Sequence, residues 1–90
     1  MVTRLALLGA GRIGKVHAKA IASDARAKLV AVVDAFPEAA QAIANESGCE
    51  ISTIDAVLAN PDIDAVIICT PTNTHADLIE RFARAGKAIF

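Results

Sequence analysis

Three glycines near the amino terminus have the spacing of a phosphate-binding loop. They lie in the segment Gly9-Ala10-Gly11-Arg12-Ile13-Gly14, directly after an apolar run and directly before a stretch of helical periodicity. In such a segment the first glycine permits a tight turn, the second leaves room for a pyrophosphate, and the third lets the helix pack closely. The backbone N–H groups of Arg12 and Ile13 can bind phosphate oxygens at the start of the helix. The sequence therefore predicts a dinucleotide-binding loop.

An acidic residue follows at the distance that such a loop requires. Asp34 stands twenty positions after Gly14, at the end of the next apolar run. A carboxylate at this place accepts hydrogen bonds from the adenosine ribose in dinucleotide-binding folds, although a strand-terminal aspartate can also serve only as a turn former.

The residues around Asp34 also bear on the choice of cofactor. A 2′-phosphate next to this carboxylate would make an unfavourable like-charge contact, and the following Ala35 and Phe36 offer no cation to hold one. We therefore expect NAD to bind more tightly than NADP. Titration calorimetry with both cofactors checks this prediction, and equal affinities would contradict it.

A cluster of polar residues follows the fourth apolar run, in the segment Thr70-Pro71-Thr72-Asn73-Thr74-His75. Open α/β sheets bind ligands at the carboxyl ends of their strands, where this segment is expected to lie. The hydroxyl and amide groups could contact a ribose while Pro71 forms a wall. The alternative is a polar loop leading into a helix cap. His75 could line the nicotinamide end or satisfy its hydrogen bonds locally.

Other chemically active side chains give weaker signals. His17 falls inside the first predicted helix, where a packed or partly exposed histidine is commoner than a catalyst. Asp62 and Asp64 are typical of a solvated turn rather than of a metal site. Cys49 and Cys69 are too few and too far apart for a disulfide framework or a metal cluster. The sequence predicts no metal site.

Short apolar runs alternate with helical periodicity along the whole chain. Strands buried on both faces are predicted at Leu5–Leu8, Leu29–Val33 and Ala65–Cys69, a short strand at Cys49–Ser52, and a last strand from Ala88. With four helices between them the order is βαβαβαβαβ. The predicted fold is α/β, a Rossmann-type doubly wound parallel sheet with helices on both faces, truncated in the fifth strand.

The spacing of apolar residues predicts the buried face of each longer helix. These positions are Ile13, Val16, Ala20 and Ile21 in the first helix, Ala40, Ile43 and Ala44 in the second, and Leu78, Ile79 and Phe82 in the last. Pro37 suits the first turn of the second helix, and Gly48 suits its end. Ser52-x-x-Asp55 and Thr74-x-x-Asp77 resemble capping boxes. Two helical ion pairs are expected, Asp77–Arg81 and Glu80–Arg84.

Composition and charge exclude several classes of protein. The chain has 90 residues, 54% of them hydrophobic, and a net charge of −1 with no basic run, so nucleic acid and anionic membranes are not expected partners. No apolar stretch reaches the length of a transmembrane helix. The first five residues lead straight into a strand, which favours a mature start over a signal peptide. We therefore expect a cytoplasmic location.

The motifs together resemble the Gfo/Idh/MocA oxidoreductases, the family of glucose–fructose oxidoreductase, inositol dehydrogenase and rhizopine catabolism proteins. The likeness rests on the glycine loop with His17 downstream, Asp34 at a strand end, Asp64-Ala65-Val66 entering the fourth strand, and Thr70-Pro71 followed by His75. It spans all 90 residues. These motifs are shared across the family, so they identify the family far better than a substrate.

The resemblance implies a longer two-domain enzyme, in which residues 1–90 form the NAD-binding domain and a substrate domain follows, often building a homotetramer. The family's catalytic lysine, in a Glu-Lys-Pro motif, and a later Asp and His would all lie beyond Phe90, so no catalytic residue is assigned here. The implied reaction oxidises a ring hydroxyl of a cyclic polyol to a ketone, myo-inositol being the first choice of substrate, while NAD is reduced.

Three alternatives remain open at the level of sequence. Another polyol or sugar dehydrogenase of the same family, acting on scyllo-inositol or glucose, would carry the same motifs. A non-catalytic dinucleotide-binding module would share the loop. A methyltransferase using S-adenosylmethionine also places a glycine loop after its first strand and an acid after its second, but the third glycine and the Thr-Pro segment argue against it.

Overall fold

Strands and helices alternate strictly in the computed structural model, which describes residues 2–70 and 75–90. The strands are β1 (Thr3–Leu8), β2 (Ala27–Val33), β3 (Glu50–Ile51), β4 (Ala65–Ile68) and β5 (Ala88–Ile89). The helices are α1 (Arg12–Ala22), α2 (Pro37–Ser47), α3 (Ile54–Ala59) and α4 (His75–Arg84). The predicted order βαβαβαβαβ is confirmed.

All strand pairings are parallel, and the strands lie in the order β3-β2-β1-β4-β5. The chain proceeds outward from β1 to one edge and then crosses to the other side of β1. Neighbouring strands whose connections leave in opposite directions create a crevice at their carboxyl ends. Here that crevice lies between β1 and β4, directly beside the glycine loop.

The central strand β1 is buried on both faces. Leu5 and Leu7 pack with α1 and α2, whereas Ala6 and Leu8 pack with α3 and α4. Helices therefore cover both faces of the sheet, as predicted for a doubly wound fold.

Strand β2 carries one extra residue relative to β1. Leu5 pairs with Leu29, but the next residue, Ala6, pairs with Ala31, so Val30 is bulged. Val30 and Ala31 both pack on the face covered by α3 and α4. The bulge reverses the alternation of side chains along the rest of β2.

The buried face of α1 differs from the predicted one. Ile21 is buried as expected, but its companions are Gly14 and Ala18, whereas Ile13 and Val16 are each 61% exposed and Ala20 is exposed as well. The first turn of α1 lies so close to the glycine loop that only a glycine fits there, and this contact fixes which side of the helix faces inward.

The second helix follows the sequence prediction. Ala40, Ile43 and Ala44 are buried, Pro37 opens the helix, and Gly48 ends it in the left-handed conformation with a φ of +70°. A glycine adopts this conformation without the steric cost that a side chain would bring.

The last two helices show local departures from prediction. The cap of α3 is Thr53 rather than Ser52, its hydroxyl accepting the N–H of Ala56 at 3.1 Å. In α4, Leu78 and Phe82 are buried as predicted, but Ile79 is 46% exposed. Thr74, the predicted cap of α4, lies outside the described residues.

The ion pairs of α4 show how tertiary contacts override helical spacing. Glu80 and Arg84 pair as predicted. Arg81 instead binds Asp55 of α3 at 2.9 Å, so the predicted pair between Asp77 and Arg81 is wrong. Both helices cover the same face of the sheet, which brings Asp55 within reach of the longer arginine side chain.

Lys87 is the only buried charged side chain among the described residues. Its Nζ donates to the carbonyl of Asn60 at 2.7 Å and to that of Ile63 at 2.8 Å. These bonds tie the end of α3 and the segment before β4 to the start of β5. Buried ammonium groups require such partners because desolvation of the charge is costly.

We expect Lys87→Met to destabilise the fold by about 1–3 kcal/mol, because the buried Ile63 carbonyl loses its donor while the apolar part of the side chain is kept. Urea denaturation measures the effect. Lys19→Met, at an exposed position of α1, is the matched control and should change stability little. Equal unfolding midpoints for the two variants would contradict the structural role of Lys87.

Candidate cofactor-binding site

Gly9 forms the turn between β1 and α1. Its φ is +103°, and a Cβ at this position would lie 2.6 Å from the carbonyl oxygen of Cys69. Its N–H donates to the carbonyl of Val33 at 2.8 Å. Both the conformation and the closeness of Cys69, the residue after β4, therefore require glycine here, as the sequence predicts.

Gly14 faces the loop from the first turn of α1. A Cβ at this position would overlap the carbonyl oxygen of Gly9 and would lie 3.5 Å from the Leu7 side chain. The third glycine of the motif therefore lets the helix close onto the loop itself, as well as onto the sheet.

Gly11 is different from the other two glycines of the motif. Its φ of −73° is open to any residue, and a Cβ would meet nothing within 4 Å. Neither conformation nor packing among the described residues calls for glycine here. The missing side chain leaves free space at the start of α1, where approach of a pyrophosphate to the backbone would require it.

The first turn of α1 is electrostatically suited to an anion. Gly11 is the N-cap residue, no described side chain caps the helix, and the first turn has no acidic residue. The opening N–H groups of a helix have no intrahelical acceptor and carry the positive end of its dipole. Arg12 and Ile13, the predicted donors, occupy this turn and are exposed.

Asp34 lies just beyond β2 and connects two backbone segments. Its Oδ2 accepts the N–H of Ala10 at 2.6 Å, and its Oδ1 accepts the N–H of Phe36 at 2.8 Å. The first bond joins the end of β2 to the glycine loop that follows the neighbouring strand β1. The second shapes the turn into α2. The two readings of Asp34, turn former and site residue, are therefore compatible.

A pocket of about 310 Å³ opens at the carboxyl ends of β1, β2 and β4. It is lined by Gly9, Gly11, Asp34, Ala35, Phe36, Cys69 and Thr70. Four predicted site residues, Gly9, Gly11, Asp34 and Thr70, thus meet in one place. The residues of α1, from Arg12 to Gly14, stand beside this pocket without lining it.

Three residues that line the pocket, Ala35, Phe36 and Cys69, were not predicted as site residues, and Phe36 is the aromatic one among them. Its side chain is 73% exposed although it lines the pocket directly after Asp34. An aromatic residue immediately after a strand-end acid is the available sequence signal. Planar rings of this kind stack on nucleobases.

His75 closes a local loop at the start of α4. Its Nε2 lies 2.6 Å from the carbonyl oxygen of Thr70, and because a carbonyl only accepts, Nε2 carries the hydrogen. The sequence left two alternatives for His75, local hydrogen bonding and a contact with the nicotinamide. The bond to Thr70 corresponds to the first. Pro71, Thr72 and Asn73, the other predicted cofactor ligands of this segment, lie outside the described residues.

Among the described residues, the remaining reactive side chains give no sign of a catalytic group. Burial raises the pKa of the Cys69 thiol and of the Cys49 thiol above the ordinary value, so both are poor nucleophiles near neutral pH. His17 is exposed, and Asp64 accepts the N–H of Arg4 at 2.9 Å. Residues 2–70 and 75–90 contain no cluster of three His, Cys, Asp or Glu side chains that could hold a metal.

None of the described helices combines the length and the apolar character needed to cross a bilayer.

A parallel sheet in the order 3-2-1-4-5, a glycine loop at its switch point and an acid at the end of β2 define a dinucleotide-binding domain. The chain belongs to the Gfo/Idh/MocA oxidoreductases: residues 3–90 match the family described as an oxidoreductase family with an NAD-binding Rossmann fold. The expected family membership and the expected fold are both confirmed.

Several known dehydrogenases resemble the chain over all or nearly all of its length. Over its whole length the chain is 73% identical to an inositol 2-dehydrogenase from Rhizobium meliloti. The match covers 27% of that protein. The myo-inositol dehydrogenase of Corynebacterium glutamicum is 44% identical with a TM-score of 0.92, over 99% of this chain and 27% of that one. A scyllo-inositol dehydrogenase from Lactobacillus casei, with bound NAD(H) and scyllo-inositol, is 34% identical with a TM-score of 0.91, over 100% and 27% respectively. The chain therefore spans about a quarter of the length of these relatives.

Proposed function

We propose that residues 1–90 form the NAD-binding domain of a longer, two-domain dehydrogenase that oxidises a ring hydroxyl of a cyclic polyol. The observation that carries the NAD-binding part of this proposal is Gly11, whose missing side chain leaves space that no described residue uses. A ligand explains the glycine where the protein alone does not. The pocket that Gly11 and Asp34 both line would hold the adenosine half of the dinucleotide.

The residues of this chain would bind and orient the cofactor. The N–H groups of Arg12 and Ile13 would receive the pyrophosphate, and Asp34 would accept the ribose hydroxyls. Thr70 lines the same pocket, and we propose that Pro71, Thr72, Asn73 and His75 continue the site toward the nicotinamide. When bound, NAD accepts the hydride that leaves the substrate carbon. The proton of the hydroxyl would pass to residues that lie outside these 90.

Myo-inositol is the substrate we propose, with 2-keto-myo-inositol as its product. Support comes from the 73% identity to an inositol 2-dehydrogenase and from the similarity to a myo-inositol dehydrogenase. A structure similar over 100% of this chain belongs to a scyllo-inositol dehydrogenase, which makes scyllo-inositol the nearest competing substrate.

The deciding experiment is a substrate screen on a protein of the relatives' full length, with NAD, following the absorbance of the reduced cofactor. We expect the highest kcat/KM with myo-inositol. Faster turnover of scyllo-inositol or glucose would replace the proposed substrate within the same family. NAD binding without turnover of any polyol would favour a non-catalytic dinucleotide-binding module instead.

We also propose that the whole enzyme is a cytoplasmic homotetramer acting on a small polyol. Cys49 and Cys69 are both free, as is usual in reducing compartments, and the tetramer follows from the family resemblance. Light scattering on the full-length protein measures the assembly directly, and a monomeric mass would contradict it.

Phe36 offers a separate test of the adenosine end of the site. Phe36→Ala should weaken NAD binding by about tenfold, because the ring would cover the adenine. Phe90→Ala is the matched control: Phe90 is 74% exposed, close to the 73% of Phe36, but does not line this pocket. Titration calorimetry compares the two, and equal losses of affinity would argue against an adenine site at Phe36.

A further inference from the structure

Both carboxylate oxygens of Asp34 accept hydrogen bonds from backbone N–H groups. Oδ2 binds Ala10, the residue between the first two glycines of the loop, and Oδ1 binds Phe36. Ala10 is fully buried, so its N–H has no access to water and needs a protein acceptor. The carboxylate supplies it at 2.6 Å, and an ionised acceptor forms a stronger hydrogen bond than a neutral one.

We propose that Asp34 is a positioning residue that orders the glycine loop Gly9–Gly14 independently of NAD, in addition to contacting the ribose. This inference rests on the proposed function and deepens it. Glycine-rich segments have the most conformational freedom to lose on ordering. A loop that is already ordered spares the cofactor that loss, which raises affinity without adding any contact.

The two roles do not compete for the same electrons. An ionised carboxylate offers about four lone-pair sites on its two oxygens. The N–H groups of Ala10 and Phe36 use two of them. The remaining sites are enough for the two hydroxyls of a ribose.

The dual role changes what substitutions of Asp34 should do. Asparagine has nearly the same shape but only one oxygen, so its NH₂ group must face either Ala10 or Phe36, donor against donor. Serine is too short to bridge both segments. Replacing Asp34 to admit a 2′-phosphate would therefore also loosen the loop that binds the pyrophosphate.

Amide hydrogen exchange in the ligand-free protein tests the positioning role without relying on cofactor binding. In Asp34→Asn and Asp34→Ser we expect the Ala10 amide to exchange about tenfold faster than in the unmodified protein. The lost hydrogen bond lowers the free-energy cost of opening this segment locally. Asp62→Asn, at an exposed turn, is the control and should leave Ala10 unchanged. The Asn variant keeps the shape and volume of the side chain, so it remains informative if the Ser variant unfolds.

Nicotinamide mononucleotide, which lacks the adenosine ribose, separates positioning from direct contact. If Asp34 orders the loop, both variants lose affinity for this probe as well as for NAD. Unchanged probe affinity together with unchanged Ala10 exchange would overturn the proposal and leave Asp34 with a ribose contact alone. Faster Ala10 exchange in a protein that binds no NAD would instead uphold the tie between Asp34 and the loop and refute the proposed function.

Discussion

Gly11→Ala is expected to weaken NAD binding by at least about tenfold while leaving the fold intact. A Cβ at this position meets no protein atom within 4 Å, and the backbone angles suit any residue. The only cost to folding is that alanine is a poorer N-cap than glycine, about 1 kcal/mol or less. The methyl group would instead occupy the space through which a pyrophosphate approaches the loop.

Gly11→Ser sharpens this prediction. Serine is a better N-cap than alanine, so its hydroxyl should restore or raise stability, while its Cβ still fills the same space. We expect both variants to lose affinity, measured by calorimetry, although their urea midpoints differ. Retained NAD affinity in either variant would show that Gly11 is not at the pyrophosphate.

Gly14→Ala is expected to have the opposite signature, destabilising the domain by about 3 kcal/mol or more. Its Cβ would overlap the Gly9 carbonyl oxygen, which belongs to the backbone and has no flexible side chain that could move aside. Insertion of a methyl group into a close-packed contact usually costs about 1–3 kcal/mol. A rigid backbone partner places this case at the upper end.

Gly86→Ala provides the control for the second prediction. Gly86 has a φ of +77° but open space around it, so alanine there should cost only the strain of a left-handed conformation, about 1–2 kcal/mol. Urea denaturation of both variants compares steric overlap with conformational strain. A Gly14→Ala midpoint no lower than that of Gly86→Ala would show that α1 can shift away from the loop.

The sequence predicted best those features that a short stretch of residues specifies by itself. The strands of the sheet are continuous apolar runs because they are buried on both faces, and α2 carries its own start and stop residues in Pro37 and Gly48. The need for glycine at positions 9 and 14 also follows from the motif. Such features are encoded in local sequence patterns, which are visible without a structure.

Tertiary contacts explain what the sequence did not reveal. Ile13 and Val16 have helical spacing, yet α1 presents Gly14 and Ala18 to the sheet, because close approach of backbones outweighs burial of larger side chains. The hydrogen bond from Ala10 to Asp34 crosses between strands and depends on their register. Phe36 gave no periodic signal, since it stands in a loop.

The bulge at Val30 has a consequence for how such sites are recognised. The loop and the acid meet because Leu8 of β1 is paired with Val33 of the neighbouring strand β2. The number of residues between Gly14 and Asp34, in contrast, includes the extra residue of β2. Removing Val30 would straighten the strand and shorten that count by one, with the pairing of Leu8 and Val33 unchanged. Searches for this constellation should therefore fix the alignment of the two strand ends and let the number of intervening residues vary.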